Sequence, residues 1–118
     1  MRIRLFAIAI AVLLPALAGA DQQPALAEDE DVQFEEALRD LGFVSGAAYQ
    51  CLPEAERAEH DRQVLDAYSG IARLFGTDRA FLYAAAFGAG TSMSLDKAKC
   101  PTYIDEFRAA TRRGERFK

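Results

Sequence analysis

The one histidine of this 118-residue chain, His60, stands beside Asp61 and four residues after Glu56. On a helix that spacing puts Glu56 and His60 on one face, the arrangement a general base or a two-ligand metal clamp uses. Neither chemistry is completed by the rest of the sequence. A zinc centre takes three or four ligands, and there is no second histidine to recruit. Ser45, Ser69, Ser92 and Ser94 lie in no Gly-x-Ser-x-Gly elbow, and no glycine loop of the P-loop or dinucleotide type occurs. The run Glu28-Asp29-Glu30-Asp31 lacks the alternating ligands and central glycine of a calcium loop, and is expected to be a disordered, solvated stretch. We therefore assign no catalytic, metal or cofactor-binding residue, and expect His60 on a solvated helix face with Glu56, Glu59 and Arg62.

Cys51 and Cys100 are the only thiols, and their chemistry depends on the compartment. Arg2 and Arg4 precede an apolar run from Leu5 to Leu14, Pro15 breaks it, and Ala16, Ala18, Gly19 and Ala20 follow. This is the order of a secretory signal peptide. Two small-x-small sites compete, Ala18-Gly19-Ala20 and Ala25-Leu26-Ala27. Cleavage at the second leaves residues 28–118, one small domain by length. The protein is then periplasmic or secreted, keeps no stable membrane span, and meets oxidant, so an even pair of cysteines predicts a Cys51–Cys100 disulfide. Closing a loop of roughly 50 residues stabilises a fold by about 4 kcal/mol in the chain-entropy view.

The elements that position these residues read as helices throughout. Phe34, Leu38, Leu41, Ala48 and Leu52 recur at helical spacing from Val32 to Leu52, with Ala37, Val44 and Cys51 alongside. Gly42 and Gly46 lie inside that stripe and mark either a kink or a close approach by another helix. Pro53 opens a second helix to Phe75, whose apolar stripe is Val64, Leu65, Tyr68, Ile71, Ala72 and Phe75 and whose outer face carries Arg57, Glu59, Arg62, Asp66 and Arg73. Gly76 suits a left-handed C-terminal cap, and Thr77 or Asp78 can cap the next helix at once, giving an antiparallel hairpin. That third helix, Asp78 to Ala89, is apolar nearly all round, which places it at the centre of the fold. Gly88 and Gly90 are expected to stop it and Ser94 to cap a short helix from Leu95 to Lys99. Pro101 begins a last helix to Arg113 with Tyr103, Ile104, Phe107 and Ala110 inward. No alternating β-branched run is present, so the fold class is all-α: a bundle of four to five helices stapled by one disulfide.

Function has to be read from surfaces. With 14 basic against 18 acidic side chains the net charge is -4, a sign that excludes nucleic acid as a partner. The basic tail of Arg108, Arg112, Arg113, Arg116 and Lys118 is either a docking patch for an anionic membrane or acidic partner, or the ordinary decoration of the negative end of a last helix. Phe75, Phe81, Tyr83, Phe87, Tyr103 and Phe107, with Ala84, Ala85 and Ala86 between them, form either core or a groove for an apolar ligand. The expected function is that of a small exported binding or accessory protein, without enzymatic activity, acting through a helical surface on another protein or a small apolar ligand. The His60-Asp61 pair is similar to that of secreted phospholipases A2, but no glycine-rich calcium loop precedes it and their framing cysteines are missing. In plan the chain resembles the acid-stress chaperones of the bacterial periplasm: exported, helical, with one disulfide. The alternatives are thus a chaperone-like stress protein, a small hydrolase using His60, or a carrier of a small apolar ligand.

Overall fold

A computed structural model describes the backbone of residues 22–115 and the side chains of residues 28–114. The expected leader through Asp21, with its Ala18-Gly19-Ala20 site, lies outside the described residues, as do Arg116 and Lys118. The Ala25-Leu26-Ala27 site falls on helical backbone. The described residues form four α-helices in order: α1 (Gln22–Cys51), α2 (Glu54–Phe75), α3 (Thr77–Ser92) and α4 (Cys100–Glu115), with a 3-10 turn at Lys97–Lys99 ahead of the last. No strand occurs among the described residues. The all-α fold with its Cys51–Cys100 disulfide is as expected, the two Cα atoms lying 5.5 Å apart.

Contacts divide the chain after Gln33. In the first unit the acidic run Glu28–Asp31 is helical and exposed, not disordered. Helix growth is cooperative and glutamate is a good helix former, so once α1 is nucleated the run propagates with it.

In the second unit, Phe34–Lys118, the core gathers Leu38 and Ala48 of α1, Val64 and Ile71 of α2, Ala80 and Tyr83 of α3, and Phe107 of α4. The glycines of α1 mark a close approach. A Cβ on Gly42 would stand 2.3 Å from the Tyr83 carbonyl oxygen, one on Gly46 2.3 Å from that of Phe87, and one on Gly90 2.3 Å from that of Phe43. Helices α1 and α3 therefore meet backbone to backbone, and run in the same direction there. This contact also explains why α3 continues to Ser92 instead of stopping at Gly88. Gly90 is needed inside the helix for the crossing, and Gln50 of α1 finishes it, its Nε2 donating to the carbonyls of Gly90 (2.6 Å) and Met93 (2.9 Å). Thr91 and Ser92 hydroxyls bond back to the Gly88 carbonyl, both at 2.8 Å.

Helix α3 is not surrounded. Ala80, Tyr83 and Gly90 are buried, but Phe81 is 68% exposed and Ala84 and Ala85 are also exposed. Its apolar outer face is mostly alanine, which costs little to leave in water. On α2 the buried line is His60, Val64 and Ile71, with Ala67 half-buried between them, so the stripe is rotated from the expected one and Leu65 is 62% exposed. Val64, Ile71 and Ala72 of the expected stripe do face inward, whereas Leu65, Tyr68 and Phe75 are exposed, and a histidine and an alanine complete the buried line.

The joints differ from expectation by small steps. Gly76 has φ +96° and ψ 162°, a region open in practice to glycine alone. It closes α2 and is itself the N-cap of α3, so neither Thr77 nor Asp78 caps by its side chain. Pro53 stands one residue outside α2, as its N-cap residue. Asp96, not Ser94, caps the 3-10 turn through a 3.0 Å bond from the Ala98 N–H. Arg57 leaves the solvent face: its Nε donates to the Tyr49 and Leu52 carbonyls (both 3.2 Å), and its guanidinium lies 4.9 Å from the Tyr49 ring centre. It thereby supplies donors to the open carbonyls at the end of α1.

Candidate functional site

His60 is 3% exposed, so the expected solvated face is corrected. Its ring packs on Phe107 with centroids 4.2 Å apart and faces Tyr49 at 6.2 Å. The Nε2–H donates to the main-chain carbonyl of Ser45 at 2.7 Å. That bond satisfies a buried donor and links α2 to α1. Burial lowers the His60 pKa below 6.5, against the opposing effects of the Ser45 carbonyl and the Asp61 charge. The Ser45 hydroxyl is engaged elsewhere: it donates to the Leu41 carbonyl at 2.7 Å and accepts from the Tyr83 hydroxyl at 3.4 Å. Burial pushes the Tyr83 hydroxyl pKa up, with the Ser45 bond opposing. His60 and Ser45 thus meet through the main chain, not as base and nucleophile. Among the described residues no group of three or more His, Cys, Asp or Glu could hold a metal ion.

Beside this polar core two hollows open between α2 and α4. The first, about 390 Å³, has Ala48, Leu52, Ala55 and Ile104 as apolar walls and Glu56, Glu59, Arg108 and Arg112 among its polar lining. His60 also lines it. The second, about 440 Å³, is walled by Leu38, Leu41, Ile71, Leu74, Phe75 and Ala110, with Tyr83 and Ser45 beneath. Glu59, Gln63, Phe107 and Thr111 line both, so the hollows abut and form one trough along the α2–α4 seam. The cause is local: where the two helices pass, small side chains (Ala55, Ala67, Gly70, Ala110, Gly114) leave space that the large ones do not fill. Each hollow is of the size that small-molecule sites occupy, roughly 300 to 1,000 Å³.

Of the six aromatic residues expected to form a groove, Phe75, Tyr83 and Phe107 line the trough. The other three lie elsewhere. Phe87 packs edge-on to Tyr49 at 6.4 Å, Tyr103 to Phe43 at 6.5 Å, and Phe81 points to solvent. Phe75 is itself held by Phe34, ring centres 4.7 Å apart. The sequence reading missed Leu38, Leu41, Gln63, Ala67 and Ile71 as lining residues. Large aromatics drew attention there, whereas a trough also needs small residues opposite one another on two helices, a pairing that only tertiary structure reveals.

No helix among the described residues is long and apolar enough to cross a membrane. Comparison with known protein families, curated proteins and solved structures gave no match.

Proposed function

We propose that this chain is a small exported binding protein, without catalytic activity, whose working element is the trough between α2 and α4. The observation that carries this reading is the trough itself: two adjoining hollows with apolar walls and charged side chains among their lining, in which the ring of the one histidine bonds a main-chain carbonyl. The signal-like N-terminus and the Cys51–Cys100 disulfide support an oxidising destination, the periplasm or the exterior. Of the readings open at the level of sequence, the carrier of a small apolar ligand gains most. The hydrolase reading gains least, because His60 is 3% exposed and the Ser45 hydroxyl is bonded to Leu41 and Tyr83 instead of to its ring. The likeness to periplasmic acid-stress chaperones remains one of plan.

The test is a titration with a neutral apolar fluorophore such as N-phenyl-1-naphthylamine, whose emission rises in an apolar site. The chain contains no tryptophan, so the probe is read against a dark background. Saturable binding at one site is expected. Ala110→Phe, which fills the trough from α4, should abolish it, and Ala84→Phe on the exposed face of α3 should not. Equal binding by both variants, each shown to be folded by its helical circular dichroism, would place the site elsewhere.

A further inference from the structure

The two ends of the trough differ in chemistry. Arg108 and Arg112 are one turn apart on α4, so both guanidiniums sit at the lip of the first hollow. Both are exposed, and neither takes part in an ion pair among the described residues. Of the carboxylates at the same lip, Glu59 is bound by Arg62, leaving Glu56 alone against two guanidiniums. His60 adds no charge near neutral pH, since burial holds its pKa down. At the other end the apolar walls are Leu38, Leu41, Ile71, Leu74 and Phe75, with Asp66 and Arg73 contributing one charge of each sign, and Leu74 and Phe75 remain substantially exposed. From Glu59 to Leu74 the seam follows α2 for about 22 Å at about 1.5 Å per residue, the reach of a long extended acyl chain.

We propose that the trough takes a free single-chain carboxylate amphiphile, with its carboxylate on Arg108 and Arg112 and its chain lying along Phe107 toward Leu74 and Phe75. This rests on the trough being a binding site, as proposed above. Charge complementarity favours one orientation: two guanidinium forks, which match carboxylate geometry, stand at the first lip, whereas the charges lining the second hollow beyond Glu59, Asp66 and Arg73, are one of each sign. A chain there would also cover Leu74 and Phe75. Arg113, exposed and outside the lining of either hollow, takes no part.

The experiment is competition against bound N-phenyl-1-naphthylamine by palmitate, methyl palmitate and cetyltrimethylammonium, each below its micelle concentration, on the disulfide-bonded protein. Palmitate should compete best, with the ester and the cation at least about tenfold weaker. The double variant Arg108→Gln, Arg112→Gln should bring palmitate down to the level of the ester and leave the ester unchanged, whereas Arg113→Gln should change nothing. Competition by ester or cation as strong as by palmitate would overturn the carboxylate assignment while leaving the trough a binding site. Failure of the fluorophore itself to bind would remove the trough reading and this one with it. A fourth arm adds vesicles containing phosphatidylglycerol. Protein that sediments with them, lost in the double variant and paired with no palmitate competition, would assign the guanidiniums to a membrane surface and overturn the proposal.

Discussion

At the scale of single residues, His60 adds a step to how the fold responds to acid. It is buried against Phe107, with its Nε2–H on the Ser45 carbonyl, and burial lowers its pKa below 6.5. The unfolded chain therefore takes up a proton at a higher pH than the folded one. The contribution of His60 to stability is present above pH 6.5 and is lost as pH falls below it, by at most about 1.4 kcal/mol per pH unit until the folded state also protonates. Denaturant unfolding across that range should show this slope, and His60→Gln, which retains a side-chain donor, should flatten its upper part. A variant with an unchanged slope would show that carboxylates alone set the response. In the sequence this histidine looked solvent-facing because Glu56, Glu59 and Arg62 surround it. Helix faces are set by rotation, though, and Val64 and Ile71, at i+4 and i+11, turn it inward.

At the scale of elements, the crossing of α1 and α3 is the tightest feature of the fold. Gly42 and Gly46 were legible as either a kink or a close approach, and the partner that decides between them, Gly90, lies far along the chain. Gly46→Ala should destabilise by about 3 kcal/mol, since the added methyl meets main-chain atoms that cannot yield without separating the helices. Gly88 lies in the same helix as Gly90, but a Cβ there meets nothing within 4 Å. Gly88→Ala should instead stabilise by about 1 kcal/mol through helix propensity. Thermal melts of the two variants should move in opposite directions; a shift of the same sign in both would mean that the crossing is loose. Helix order, the hairpin at Gly76 and the disulfide could all be read from local signals: periodicity, prolines, a glycine between two apolar stripes and an even cysteine count. The extent of α3 could not, because its end is set by Gln50 across the crossing. Nor could the role of Arg57, which turns from the solvent face to the carbonyls closing α1.

At the scale of the whole molecule, the second unit is a helical bundle held by a small core and a disulfide. The bridge spans 49 residues and joins the end of α1 to the start of α4. A loop of that length adds about 4 kcal/mol in the chain-entropy view, a large part of a typical domain stability of about 5 to 15 kcal/mol. Tying α4 only at its first residue leaves the rest of its length to meet α2 through side chains, and the trough lies along that meeting. Three of its aromatic walls were foreseeable as a cluster, but the distinction between Phe107, which lines the trough, and Phe81, which faces water, needed the packed structure. The central claim is that this seam is where the protein binds. Methyl-resolved NMR during titration with N-phenyl-1-naphthylamine tests it most directly. The account predicts shifts at Leu38, Leu41, Ile71 and Leu74 and none at Leu65, which is exposed on α2 and lines neither hollow. Shifts centred on Leu65, or no shift at the four trough residues when the probe is bound, would contradict it.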